Sequence, residues 1–242
     1  MRHADLRRIG LIVPAGNMAL EWEFSRYLPP GFAFNTARAV RRTDAGLDFA
    51  SLLEMGDEAL PAARSLMRTR PEVILYGCTS GSFIEGSQDI PIRIACETDT
   101  HCLTTAGAVL AAHEALGARN VVLITPYPDA VNHAEIAFLK QAGIVVNLCD
   151  SLPCDTDHPI GAVSDAETMA LAFRHADAIR EADALFISCT NLLTLDRIAT
   201  LEARLGRPVI SSNLASLWAV LRHLGHDAWR GPNWSLMAAG RS

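Results

Sequence analysis

Short apolar runs that stop abruptly at small or hydrogen-bonding residues set the rhythm of the chain. Ile9-Gly10-Leu11-Ile12-Val13 runs into Pro14-Ala15-Gly16-Asn17, and residues 18–28 then carry apolar side chains at helical spacing until Pro29-Pro30-Gly31. This predicts strand, turn and helix. Residues 32–40 read as a second strand, and 51–70, with Leu52, Met55, Leu60, Ala63 and Leu66, as one amphipathic helix ended before Pro71. A third run, Val73-Ile74-Leu75-Tyr76, stops at Gly77-Cys78-Thr79-Ser80-Gly81-Ser82, and residues 104–116 form a helix closed by Gly117.

The pattern then restarts. Residues 121–124 predict a strand, Thr125-Pro126-Tyr127-Pro128 a turn, 129–142 a helix closed by Gly143, 144–148 a strand and 164–181 a helix. Ala184-Leu185-Phe186-Ile187 leads into Ser188-Cys189-Thr190-Asn191, repeating the Cys78 pattern about 110 residues later. A helix at 195–205, a strand at 209–211 and a helix at 215–224 follow. Residues 225–242 lack periodicity and are expected to pack on the first half, since Trp229 and Trp234 need cover. The expectation is an α/β fold of two matching lobes, each a mostly parallel sheet flanked by helices, with the site in the cleft between them. The first lobe is assigned to 1–104 plus 213–242, and the second to 105–212.

Composition narrows the partner. The chain has 242 residues, half of them hydrophobic, and a formal charge of −6; its paired basic residues, Arg7-Arg8 and Arg41-Arg42, do not make a footprint for nucleic acid or an anionic membrane. A small molecule is the expected ligand. No apolar run approaches the roughly 18 residues of a membrane span, and the first residues lead straight into a strand, so a cytoplasmic protein is expected. The six cysteines form no Cys-x-x-Cys, and His223-x-x-His226 lacks a third ligand at a recognisable spacing, so no metal is expected. Gly77, Gly81 and Gly86 do not fit a nucleotide-binding fingerprint, and no nucleotide is implied.

The chemistry-bearing candidates sit where apolar strands end. Cys78 reads either as a small buried hydrophobe or as a reactive thiol. Gly77 and Gly81 permit close approach, and the amides of Thr79, Ser80 and Gly81 would favour thiolate and attract an anion. Cys189 has the same context, with Thr190 and Asn191 as donors; Cys96, Cys102, Cys149 and Cys154 lack it and are assigned structural roles. Asn17 reads as a helix cap or a ligand-binding amide, and Tyr127 as an anion partner or a packing residue.

Pro-x-x-Asn after the first strand, Cys-Thr-Ser-Gly-Ser at 78–82, Thr-Pro-Tyr-x-Asp-x-Val-Asn at 125–132, and Ser-Cys-Thr-Asn-Leu with Leu-Gly-x-Pro-Val-Ile-Ser-Ser at 205–212 together resemble the aspartate/glutamate racemase superfamily. The branch they resemble contains maleate cis–trans isomerase and arylmalonate decarboxylase. The resemblance implies two pseudosymmetric lobes, a cofactor-independent site between them and a homodimer. Cys78 and Cys189 would be the catalytic thiols, while Asn17 and Tyr127, helped by the backbone around Thr79, Ser80, Thr190 and Asn191, would bind a substrate carboxylate. Two positions depart from the pattern. Ala15-Gly16 stand where maleate isomerases often have Ser-Ser, and Asp157 stands where a carboxylate-binding Asn is expected. An acidic side chain at 157 would repel a second carboxylate.

The activity expected first is cis–trans isomerisation of a small unsaturated dicarboxylate by the two cysteines. The alternatives are a cofactor-independent racemase of an amino acid or hydantoin, and a decarboxylase of a malonate derivative. The last looks like a one-thiol enzyme with glycine at the first-lobe cysteine. A non-catalytic dicarboxylate sensor stands last.

Overall fold

The computed structural model describes residues 5–40, 47–154, 159–226 and 228–239. Two four-stranded parallel sheets carry the fold. The first contains β1 (Arg7–Pro14), β2 (Phe32–Ala39), β3 (Val73–Tyr76) and β4 (Cys102–Thr104), ordered β2-β1-β3-β4. The second contains β5 (Asn120–Thr125), β6 (Val145–Ser151), β7 (Ala184–Ile187) and β8 (Val209–Ser211), ordered β6-β5-β7-β8. Each strand of β3 and β7 is buried along its whole length, which is why both read as unbroken apolar runs rather than alternating ones. In each sheet the order reverses between the first and third strands in sequence. A crevice therefore opens at the carboxyl ends of β1 and β3, and another at those of β5 and β7.

Helices cover the sheets. α1 (Ala19–Tyr27) follows β1, and α4 (Thr79–Phe83) follows β3. α6 (Thr105–Leu116) leaves β4 directly, with Thr104 Oγ1 accepting from the Gly107 amide at 3.0 Å. α11 (Ser212–His223) leaves β8 the same way, with Ser211 Oγ accepting from the Leu214 amide at 3.1 Å. These two helices pack on each other; α11 also lies against β3 and β4, and α6 against β8. Between them Ser216 Oγ donates to Thr105 Oγ1 at 3.1 Å, so a buried pair of hydroxyls is satisfied where the lobes meet.

Several elements differ from the pattern-based expectation. The helix expected at 51–70 is two, α2 (Phe49–Asp57) and α3 (Ala59–Leu66), followed by a 3₁₀ turn at Met67–Thr69. Pro61, which has no N–H to return to Asp57, is tolerated only because a new helix begins just before it. The helix expected at 164–181 divides at His175 into α8 (Asp165–Arg174) and α9 (Ala176–Glu181), where His175 Nε2 meets Asp150 Oδ2 at 2.6 Å. α5 (Ile90–Thr98) and the three-residue β4 add elements that periodicity did not predict. α7 (Asp129–Gln141) and α10 (Leu195–Leu205) fall within a residue of expectation.

The tail holds a short helix, α12 (Ser235–Ala238), and packs on both halves rather than on the first alone. Trp234 is buried with its ring 5.0 Å from Tyr27, while the Ser235 amide donates to Glu202 of α10 at 3.1 Å. Among the described residues no helix is long and apolar enough to cross a membrane.

Candidate active site

Cys78 caps the N-terminus of α4: its Sγ accepts the Gly81 amide at 3.3 Å. The glycines around it are sterically required. A Cβ on Gly77 would stand 2.4 Å from Leu20 Cδ2, and one on Gly81 would stand 2.8 Å from the Tyr76 hydroxyl and 3.1 Å from Cys78 Sγ. Cys189, after β7, adopts φ +110°, a backbone state that costs a non-glycine residue about 1–3 kcal/mol and that concentrates at functional sites. Local hydrogen bonds hold it there. The Cys189 amide donates to Ser212 Oγ at 3.0 Å, and Cys189 Sγ accepts from the Asn191 amide at 3.4 Å. Thr79 Oγ1 donates to the same Ser212 oxygen at 2.8 Å, so one hydroxyl ties the two cysteine loops together.

Tyr127 lies within electrostatic reach of both thiols. Its turn is locked by Thr125 and Asn132: Thr125 Oγ1 donates to Asn132 Oδ1 at 2.6 Å, and Asn132 Nδ2 donates to Tyr127 O at 3.0 Å and to Ser151 Oγ at 2.7 Å. This explains the Thr-Pro-Tyr and Asn spacing. The phenol is buried, and burial first, then the charges of Cys189, Glu135 and Cys78, push its ionisation well above the ordinary range. Burial likewise pushes the Cys189 thiol up to about 12, against hydrogen bonds from the Asn191 amide and Tyr127. At neutral pH Cys189 is a thiol and Tyr127 a neutral phenol, both suited to giving protons rather than to holding negative charge.

The other expected binding residues are engaged with protein. Asn17 Nδ2 donates to Thr190 Oγ1 at 2.8 Å, Asn17 Oδ1 accepts the Leu20 amide at 3.2 Å, and Thr190 Oγ1 donates to Gly77 O at 3.0 Å. Asn191 Oδ1 accepts the amides of Met18 and Ala19 at 3.1 and 3.4 Å, and so caps α1 from the opposite lobe. Ser80 Oγ lies 3.8 Å from Cys78 Sγ. The polar side chains thus stitch the lobes together around the thiols. Asp157 lies outside the described residues; Gly161, on the turn that follows it, sits beside Asn191, 3.4 Å from its Nδ2 as measured from an ideal Cβ.

Glu23 reciprocates the capping by Asn191, and nothing in the sequence marked it. Its Oε1 accepts the Thr194 and Leu195 amides at 2.5 and 2.6 Å, capping α10 from the first lobe, and its Oε2 accepts from Asn213 at 2.6 Å. Glu135 was also unmarked, because an isolated Glu carries no spacing signal, whereas Ser188, Ser212 and Tyr76 stood within recognised motifs with no role of their own; the Tyr76 hydroxyl is buried near Cys78 without a hydrogen-bond partner among the described residues. Of the remaining cysteines, Cys96 is exposed, and burial pushes the thiols of Cys102 and Cys149 to about 12 and 11. Among the described residues no three His, Cys, Asp or Glu side chains cluster as metal ligands, and His223 stacks on His101 with ring centroids 4.4 Å apart.

The arylmalonate decarboxylase family model matches residues 9–234. The chain is 32% identical to arylmalonate decarboxylase of Bordetella bronchiseptica, covering 97% of each protein. It is 29% identical to maleate isomerase of Nocardia farcinica, covering 90% of each. A solved structure of a Cys-to-Ser variant of Nocardia farcinica maleate cis–trans isomerase, with a covalently bound succinylcysteine intermediate, superposes with TM-score 0.82 at 26% identity, covering 91% of this chain and 93% of that one. A match that spans both sheets and both cysteine loops settles the lineage: this chain belongs to the arylmalonate decarboxylase family.

Proposed function

We propose that the protein is a cofactor-independent isomerase that converts a small cis-unsaturated dicarboxylate of the maleate type to its trans isomer. The observation that carries this reading is the pair of thiols, Cys78 and Cys189, both within electrostatic reach of one another and of the buried Tyr127 phenol. The Cys78 thiolate adds to one alkene carbon, and the electron pair moves onto the neighbouring carboxylate as an enediolate. Backbone N–H groups at the start of α4 and the phenol of Tyr127 hold that charge. Cys189 gives its S–H proton to the second carbon, the former double bond rotates as a single bond, and the Cys189 thiolate takes a proton back as the Cys78 sulfur leaves. Atoms and charges balance within the substrate and the two cysteines. A maleate isomerase of similar fold with a covalent succinylcysteine supports the thiol addition.

Decarboxylation of a malonate derivative is the second reading, favoured by the 32% identity to arylmalonate decarboxylase. One proton NMR experiment in D2O separates the two. With maleate the isomerase converts the cis vinyl resonance to that of fumarate, and Cys78→Ala or Cys189→Ala lowers the rate by about a thousandfold or more. Inert maleate, together with CO2 release from phenylmalonate and deuterium at the new C–H, replaces isomerisation with decarboxylation.

A further inference from the structure

The loop that leads from Cys189 into α10 is anchored by other elements along its length. The Cys189 amide donates to Ser212 Oγ at 3.0 Å, Asn191 Oδ1 accepts the first amides of α1, and Leu192 O accepts from Asn213 Nδ2 at 3.2 Å. The loop ends at the Thr194 and Leu195 amides, which donate to Glu23 Oε1 at 2.5 and 2.6 Å. Glu23 belongs to α1 of the other lobe, is buried, and takes part in no step of the proposed isomerisation.

Capping α10 did not require it. Thr194 occupies the N-cap position, where its own hydroxyl is a suitable cap, yet that hydroxyl donates to Ser211 Oγ at 2.8 Å and the cap comes from a residue 171 positions away. The carboxylate does something a local threonine cannot. Being an acceptor only, it draws the NH2 end of Asn213, whose Nδ2 donates to Glu23 Oε2 at 2.6 Å. The same nitrogen has a second N–H, and that is the one Leu192 O receives. One carboxyl thus fixes the end of the loop directly and its middle through Asn213. Between these anchors and Ser212, Cys189 is kept at φ +110°, a conformation that persists only where the surroundings impose it. We infer that Glu23 is a positioning residue for the second thiol: with Asn213 it clamps the cysteine loop from the opposite lobe and keeps Cys189 in its strained, buried place. Its bearing on turnover rests on the reading of Cys189 as the proton donor.

The test reads Cys189 without substrate. Iodoacetamide labelling at about pH 8, resolved by peptide mass spectrometry, compares the unmodified protein with Glu23→Leu, Asn213→Ala and Glu202→Leu; at that pH the Glu23 carboxyl, raised by burial to about 7, is mainly ionised. Glu202 is the control, a glutamate of α10 whose bonds go to the Val209 and Ser235 amides, away from the cysteine loop. Burial holds the Cys189 thiol at about 12, so a released loop raises both its exposure and its thiolate fraction. Cys189 is expected to label about tenfold faster in Glu23→Leu, the change for about one pKa unit, and at least about threefold faster in Asn213→Ala, with Cys78 within about twofold in both. In Glu202→Leu both cysteines are expected to stay within about twofold. If Glu23→Leu does not fold, Asn213→Ala carries the same comparison. Unchanged Cys189 labelling in either clamp variant, a parallel rise at Cys78, or an equal rise in Glu202→Leu would overturn the assignment. Faster Cys189 labelling with inert maleate removes only the substrate reading, and unchanged labelling with active isomerisation removes only the role of Glu23.

Discussion

Replacing Glu23 by Gln should flatten the dependence of stability on pH. Burial raises the Glu23 carboxyl from an ordinary 4.5 to about 7, against the hydrogen bonds from Leu195, Thr194 and Asn213. Between those values the folded chain holds a proton that the unfolded chain has released. Stability from this group is therefore fully present below about pH 4.5 and is lost as pH rises through 7. A shift of this size corresponds to about 3 kcal/mol. Gln does not titrate, and its amide oxygen can still accept from the α10 N-terminus. Asn213 has an Oδ1 without a partner among the described residues, which a turned side chain would offer to the new amide N–H. Urea unfolding of both proteins from about pH 5 to 8, at comparable slopes, gives the difference directly. The unmodified protein should lose about 2.5 kcal/mol relative to Glu23→Gln across that window, since part of the loss precedes pH 5. Other carboxyls, Glu135 included, are common to both proteins and cancel. A difference that stays constant within about 0.5 kcal/mol would refute the placement of Glu23 as a buried carboxyl bridging the lobes.

Gly81→Ala should cut turnover at least about tenfold with a small change in melting temperature, because its methyl would press on the Tyr76 hydroxyl and Cys78 Sγ; steady-state kinetics beside a thermal melt reads both. Asn191→Ala removes the cap that the second lobe places on α1, and urea unfolding should show a loss of about 1 kcal/mol together with a raised KM. Cys149→Ala should leave kcat within about twofold, since that thiol lies on β6 beside Glu135 rather than on the cysteine loops.

The fold was legible where burial makes sequence patterns simple. β3 and β7 are covered on both faces, so nothing but apolar residues fills them, and a small residue followed by Cys-Thr marks where each emerges. α4 was hidden because its five residues are too few to show a helical period. α5 was hidden because Pro91 looks like a breaker, although in a first turn proline removes no hydrogen bond.

At the candidate site, the meeting of the two cysteines with Tyr127 was legible from position, since each stands just after the end of a strand that borders a crevice. Asn17 was read as a helix cap or a ligand-binding amide, and its side chain both accepts the Leu20 amide and donates across the lobes to Thr190; the side chains of Thr79, Thr190 and Asn191, whose backbone was the expected contribution, also bond across the lobes. The sequence contains the donors but not their partners, which come from residues more than about 100 positions away in the chain. Glu23 illustrates the same limit. A glutamate on a helix reads as solvent-facing, and only the packing of the second lobe's Thr194, Leu195 and Asn213 against it gives it partners.

The central claim, that Cys78 attacks while Cys189 supplies the proton, is tested most directly by peptide-resolved mass spectrometry of Cys189→Ser incubated with maleate. The account predicts a succinyl adduct on Cys78 that persists, because the group that reverses the addition has been weakened, and no adduct in Cys78→Ala. An unmodified Cys78 in the Ser variant, or an adduct carried by Cys189 in Cys78→Ala, would contradict it.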